Sequence, residues 1–473
     1  MLKQKIACLA GLGLLALTAS PAPAAEALKV TPPKLEVKEH QLANGLRVLL
    51  HEDHSVPVAN VQIWYHVGSK DERKGRSGFA HLFEHIMFKG SANVAPEEHK
   101  NFLSSIGGRY NAGTDFDSTS YYQTIPSNYL ERILWMEADR MRSLDVSEEN
   151  FKSEREVVKE ERRQRIENPP FGRLLPVVLD KTYTTHPYRI LPIGSMEDLD
   201  AATLQDVRDF HSVYYVPNNA TMVISGDVDP AQTMRWVEKY FGSIPKGKPV
   251  PRETPKEPAQ TAERRAVDYH ANTPLPTSVI TYHIPEAGHA DTYPLQVAGN
   301  ILSAGESSRL YKRMVYDKQI AVAAGGQAIV LDDPGVFFFF SILNGGQKAE
   351  DGEKELLAEI DRLRSEPVSA EELAKSKNQL IAGLVFGRQT VQEKGSAIAY
   401  ANAVMGDVSL VNRELAEYQK VTAEDVQRVA RKYFNPENRT VVYMLPEAMR
   451  PAAGGAQSGG DNSGNIGDSE VKR

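Results

Sequence analysis

Apolar and polar positions follow two rhythms along this chain. Val58 to Val67 is a strand-like apolar run, and Leu42-Ala-Asn44-Gly45 is a turn signal feeding the apolar stretch that ends at Leu50. Residues 79–89, 96–106, 128–143 and 148–167 carry helical periodicity, the last ended by Pro169-Pro170. The run Phe337–Phe340 reads as a buried strand. Between residues 244 and 260 stand Pro245, Pro249, Pro251, Pro255 and Pro258, a spacing that neither a helix interior nor a sheet ladder tolerates.

The half of the chain beyond that Pro-rich stretch repeats the half before it. Thr203-Leu-Gln-Asp206-Val207 to Val223 aligns without gaps on Thr422-Ala-Glu-Asp425-Val426 to Val442, an offset of 219 residues. Both copies predict a helix, a Pro-Asn turn and a strand. Tyr65-His66-Val67 and Tyr282-His283-Ile284 correspond at an offset of 217. A period this long means a duplicated domain, not a solenoid. The expected units are domains at 34–243 and 261–448, a linker at 244–260 and a disordered tail at 452–473.

A chain of 473 residues suits two such domains. A net charge of -7 argues against a nucleic-acid footprint. Lys3 and Lys5, the apolar stretch Ile6 to Leu17 and Ala22-Pro23-Ala24 read as a secretory signal over residues 1–24, too short to span a bilayer. The expectation is an exported chain, periplasmic or secreted in a bacterium, with no stable membrane span. The single cysteine, Cys8, falls within that signal, so any metal site must use His, Asp and Glu.

One helix carries such a set. At roughly 100° per residue, His81, Glu84 and His85 project from one side while Phe83 points away. Two imidazoles one turn apart can share a metal, and the carboxylate beside them can reach a water. His-x-x-Glu-His is the inverted form of a zinc-peptidase motif. The competing reading is a helix face with two hydrogen-bonded histidines and a solvated glutamate. The apolar surroundings weigh against it, because burying such groups unpaired is costly. A catalytic zinc needs a third protein ligand. On the helix from Glu148, Glu154 and Glu161 lie seven residues apart on the side of Phe151, Val157 and Val158. Glu161 is assigned as the third ligand and Glu154 as the carboxylate that orients a ligand; Glu160 points to solvent. His51-Glu-Asp-His54 is expected at a hairpin tip, as an ordinary surface loop.

His81-Leu-Phe-Glu84-His85 with Glu154 and Glu161 downstream resembles the pitrilysin/insulinase family of zinc peptidases, to which the mitochondrial processing peptidase and its bacterial relatives belong. The resemblance extends through Gly107-Gly108-Arg-Tyr-Asn111-Ala112-Gly-Thr114 to Thr119-x-Tyr121 and covers nearly the whole mature chain. It implies one Zn2+ per chain, Glu84 as general base, and a substrate peptide paired with an edge strand at Asn111 and Ala112. The fold expected is α+β: two homologous domains, each an antiparallel-rich sheet with helices packed on one face, joined by the Pro-rich linker. The expected activity is metalloendopeptidase action on short or unfolded peptides.

One departure from the family pattern matters. Its second domain often carries an Arg and, seven residues later, a Tyr. Aligned on Ser308-Arg309-Leu310-Tyr311, those positions hold Val315 and Val322, which donate no side-chain hydrogen bond. Arg313 and Tyr316 are out of register. The implied partner is a homologous metal-free subunit that supplies the Arg/Tyr pair in a heterodimer. The rival reading is a non-catalytic structural or peptide-binding subunit of the same fold.

Overall fold

The computed structural model describes residues 33–252 and 254–451; the sequence-predicted export signal, Cys8 and the tail from residue 452 lie outside them. The first half builds a six-stranded sheet from β1 (Lys38–Gln41), β2 (Arg47–Glu52), β3 (Val58–Tyr65), β4 (Arg109–Thr114), β5 (Thr119–Pro126) and β6 (Ala220–Gly226). The second half builds a five-stranded sheet from β7 (Arg264–His270), β8 (Thr277–His283), β9 (Ala321–Ile329), β10 (Val336–Leu343) and β11 (Arg439–Pro446). Their orders are β1-β2-β6-β3-β5-β4 and β7-β11-β8-β10-β9. Each has one parallel pair, β2 with β6 and β7 with β11, and is otherwise antiparallel. Apart from β1, the two halves share one topology, with β4 and β9 as corresponding free edges.

The first half contributes α1 (Phe79–Ile86), α2 (Glu98–Ser105), α3 (Leu130–Ser143), α4 (Glu148–Arg162), α5 (Leu174–Thr182), α6 (Met196–Ala201), α7 (Leu204–Tyr214) and α8 (Pro230–Phe241). The second contributes α9 (Thr292–Ser303), α10 (Ala349–Ser365), α11 (Ala370–Phe386), α12 (Val391–Ala403), α13 (Leu410–Lys420) and α14 (Ala423–Tyr433). The repeated segments coincide in detail. Thr203 and Thr422 each close a capping box, with Asp206 and Asp425, at the starts of α7 and α14. Asn219 then donates to Tyr214 O (2.8 Å) and His66 O (3.3 Å), as Asn438 donates to Tyr433 O and His283 O (both 2.9 Å). The shared Asn thus ties the shared helix to the shared Tyr-His strand end.

Each sheet packs most of its own helices on one face, around one core per half. The other face receives a helix from the opposite half. Helix α12 crosses the first sheet, where Gln62 donates to Gln392 O and Ser396 Oγ (both 3.0 Å) and Ser225 to Val391 O (2.7 Å). Gly395 lies so close that a Cβ there would fall 2.8 Å from Ser225 Oγ. In return α5 covers the second sheet, packing Val177 and Val178 against Val279, Val442 and Met444. This explains the unbroken aromatic run: Phe337 and Phe339 enter their own core, while Phe338 and Phe340 meet α5.

Residues 245–263 form neither helix nor strand among those described. They are pinned at both ends, by Gly247 N donating to Asn218 Oδ1 (2.7 Å) and by Glu257 accepting from the Thr184, Thr185 and His186 backbone. The expected hairpin tip at His51–His54 is not one. Strand β6 lies between β2 and β3, so the segment is a crossover. His51 is a buried strand residue bonded to Glu36 O (2.9 Å), Asp53 pairs with Lys394 and His54 with Asp227. Different partners hold these side chains apart.

Candidate metal centre

Helix α1 is short, and its start is built with care. Gly78 takes φ +92° as N-cap without a side-chain cap of its own. Glu72 supplies the acceptors instead, taking Gly78 N (2.9 Å) and Ala80 N (2.8 Å). Gly194, at φ +73°, presses on this turn; a Cβ there would fall 2.4 Å from Gly78 N and Cα. Arg162, at the end of α4, donates to Gly194 O and so links the two helices. The predicted helix 79–89 ends early, at Ile86, before Gly90 turns the chain with φ +100°. The predicted helix 148–167 is α-helical to Arg162 and then widens into a π turn, Arg163–Glu167.

On this frame the Nε2 atoms of His81 and His85 both meet Glu161 Oε2, at 3.2 Å and 3.3 Å. Donor atoms held about 2.1 Å from a common centre at tetrahedral angles lie roughly 3.4 Å apart, so the spacing fits a zinc ion. Two imidazoles and a carboxylate are also the donor chemistry zinc takes. His85 Nδ1 donates to Glu154 Oε2 (3.3 Å), and Lys89 Nζ holds the other Glu154 oxygen (2.8 Å). That bond places the ring proton on Nδ1, so Nε2 can offer its lone pair to an ion shared with Glu161. Glu84 Oε2 lies 3.4 Å from His81 Nδ1 and accepts from Thr114 Oγ1 (2.6 Å). Glu160 is exposed and pairs with Arg163, while Arg165 reaches Glu161 Oε1 (2.7 Å).

The electrostatics favour a cation at this point. Hydrogen bonds from His81 and His85 hold the Glu161 carboxyl well below the usual range. Burial disfavours a charged His85, yet its bonds to Glu154 and Glu161 prevail and push the imidazole up to about 9. His81 is raised likewise: burial opposes, while Glu161 and Glu84 outweigh it. The field that favours protons on these rings favours a divalent ion in their place.

Asn111 and Ala112 lie on β4, the free edge of the first sheet. Ala112 packs on the core side, facing α1; Asn111 is exposed on the other face. Val315 is half-buried against the second core and Val322 is exposed on β9. Arg313 is engaged by Glu355 (2.5 Å) and Glu359 (3.0 Å), and Tyr316 stands in solvent. Helix α9, which packs on the second sheet, contains no His and no Glu. Among the described residues, His81, His85 and Glu161 are the one group placed to share an ion. Sequence reasoning gave no role to Glu72, Lys89, Thr114 or Arg162. Thr114 belongs to the segment 107–114 that carries the family resemblance; the others have no spacing that announces them.

Over residues 47–190 the sequence matches the family described as Insulinase (Peptidase family M16), and over residues 201–380 the Peptidase M16 inactive domain. The zinc protease PqqE of Helicobacter pylori is 33% identical over 413 residues, which cover 86% of this chain and 92% of that protein. YmxG of Bacillus subtilis, described as an uncharacterized zinc protease, is 25% identical over 419 residues, 88% of this chain and 100% of that one. The crystal structure of a protease from Helicobacter pylori superposes with a TM-score of 0.84 at 32% identity, covering 87% of this chain and 100% of that chain. The periplasmic protease PqqL of Escherichia coli shares the fold (TM-score 0.71, 18% identity), with 88% of this chain matching 48% of that one. Among the described residues no helix is long and apolar enough to cross a membrane. Matches to both halves, and a zinc protease 33% identical along nearly the full length, lead to one conclusion: this duplicated chain belongs to the insulinase (M16) family of zinc peptidases.

Proposed function

We propose that the chain is a zinc metalloendopeptidase acting on short or unfolded peptides, with His81, His85 and Glu161 holding one Zn2+. The observation that carries this reading is the convergence of both Nε2 atoms on Glu161 Oε2 with Glu84 beside them. When bound, zinc supplies Lewis acidity, acidifying water and polarising a carbonyl. The remaining work falls to the chain's own groups. Thr114 anchors Glu84 Oε2, and Oε1 has no partner among the described residues. Oε1 takes the proton of the attacking water and passes it to the departing amine. Glu154 keeps the His85 ring oriented. The β4 backbone at Asn111 and Ala112 receives the peptide as an added strand, so binding asks little of its side chains.

The chain acts as the metal-bearing half of a heterodimer in the bacterial periplasm or exterior. Its partner is a homologous metal-free subunit that brings the Arg/Tyr pair absent at Val315 and Val322. Each absent donor is worth on the order of 3 kcal/mol of barrier stabilisation. The same two valines favour the second reading, a non-catalytic peptide-binding or structural subunit. Glu84→Gln distinguishes them. A peptidase binds about one zinc per chain and loses ~100- to 10,000-fold in cleavage rate on this substitution while keeping its metal. A chain that purifies without zinc, or whose cleavage survives Glu84→Gln, overturns the proposal.

A further inference from the structure

The free edge β4 has a second face. Register with β5 pairs Ala112 with Tyr121, Gly113 with Ser120 and Thr114 with Thr119. Tyr121 and Thr119 are buried on the core side, so Ala112 and Thr114 point towards α1. Gly113 and Ser120 therefore face outward, and continuing the alternation puts Asp115 outward too. There a cavity of about 530 Å³ opens between the halves, bounded by β4, the end of β9 and α12. Gly113 and Ser120 leave its floor open; a Cβ on Gly113 would meet only Ser120 Oγ, at 4.0 Å. Trp64, fixed by its Nε1 donating to Gln62 (2.9 Å), and the partly exposed Tyr400 supply aromatic walls.

The two carboxylates at this cavity differ. Asp117 is spent, paired with Lys70 (3.0 Å) and accepting from Asp332 N (2.9 Å). Asp115 has no cationic partner among the described residues and accepts only from Phe116 N (2.8 Å). Asp115 is solvent-exposed at the edge of the cavity, so its carboxylate is open to an incoming cation. One unpaired carboxylate in a cavity that two aromatic rings also line suits an ammonium or guanidinium, and offers too few oxygens for a metal ion.

We infer that this cavity is a subsite for a lysine or arginine side chain of a peptide laid along β4, an inference that rests on the strand-addition reading above. In an added strand, alternate side chains face the metal centre and the rest face outward, so one residue out of phase with those facing zinc would enter the cavity. The chain would then prefer basic peptides, with Asp115 and Tyr400 setting the preference.

Binding tests this without requiring turnover. A fluorescein-labelled ten-residue unstructured peptide, with Lys or Met placed in turn at each position, is titrated into the zinc-loaded Glu84→Gln chain. The Lys peptide should bind about tenfold more tightly than the Met peptide at one position or at positions of one parity. In an added Asp115→Asn substitution that ratio should fall to within twofold of unity, and Tyr400→Leu should reduce it partially. Equal affinities at every position, a ratio unchanged by Asp115→Asn, or no measurable binding of either peptide overturns the subsite. Cleavage of the same peptides by the unsubstituted chain is scored separately. Discrimination in binding without cleavage keeps the subsite and overturns only the peptidase reading.

Discussion

Replacing Glu154 by Gln should weaken zinc binding by ~10- to 100-fold while leaving the fold intact. Glu154 is almost completely buried and accepts from two donors at once, His85 Nδ1 at 3.3 Å and Lys89 Nζ at 2.8 Å. Gln keeps the volume but has one acceptor oxygen and no charge. If that oxygen keeps His85, the amide N–H faces the Lys89 ammonium; if it keeps Lys89, the imidazole loses its acceptor and can turn. A charge-assisted hydrogen bond is worth about 1.5–3 kcal/mol, and a 10- to 100-fold loss of affinity is about 1.4–2.7 kcal/mol, so the two figures agree. Competition against a chromophoric chelator at neutral pH measures the affinity. Circular dichroism of the metal-free chain checks the fold, and the zinc-dependent rise in Tm should shrink in step with affinity. A Glu154→Gln chain that binds zinc within twofold of the unsubstituted protein, at an unchanged cleavage rate, would refute the reasoning and reduce Glu154 to a counter-ion for Lys89.

The same geometry sets three further outcomes. Thr114→Val removes the donor to Glu84 without changing volume, and should lower kcat on the order of tenfold at unchanged KM and zinc content, with Thr114→Ser restoring it; steady-state kinetics decides. Gly194→Ala forces a Cβ to within 2.4 Å of the Gly78 backbone at φ +73°, and should cost about 3 kcal/mol of stability and loosen zinc, read by thermal unfolding and chelator competition. Asp332 joins the halves through His66 (3.0 Å) and Lys70 (2.6 Å); burial opposes its charge, but these bonds hold it down to about 2. A carboxyl depressed in the fold stabilises it above the ordinary pKa of 3.8 and loses that contribution as pH falls through about 2. The stability gap between the unsubstituted chain and Asp332→Asn, followed by denaturant unfolding, should therefore shrink by on the order of 2 kcal/mol between pH ~4 and pH ~2; a gap constant across that window would show that Asp332 contributes no net charge coupling.

The sequence made the duplication legible because Thr203/Thr422, Asp206/Asp425 and Asn219/Asn438 do local work that local sequence must encode. It made α1 legible for the same reason, since a helical face follows from spacing, and on α4 it placed Phe151, Glu154 and Val158 inward as found, whereas Val157, expected on that side, is exposed. It did not reveal that β6 inserts between β2 and β3, because strand order is decided by pairing across more than 150 residues. That is why His51, which reads as a loop residue, is buried in a strand. Nor could periodicity show that α5 and α12 change partners. Their apolar faces look like those of any core helix, and only the opposite sheet tells whose core they complete.

That exchange bears on how the candidate metal centre is held. The outward face of the first sheet carries Asn60, Gln62 and Ser225, buried polar groups that would be costly if left unpaired. Their partners include Gln392, Ser396 and the Val391 carbonyl, all on the second half's α12. The second half also grips the π turn that follows α4: Asn272 donates to Glu167 O (2.6 Å) and accepts from Phe171 N (3.0 Å). The turn that follows α4 is thus tied to the second half, and β4 is backed by a sheet whose outer face that half covers. A first half cut free would expose both the polar ladder and the apolar patch around Leu49, Val223 and Trp64. The second half is accordingly part of the frame that places His81, His85 and Glu161, which is a physical reason for the duplicated copy to remain joined to the first.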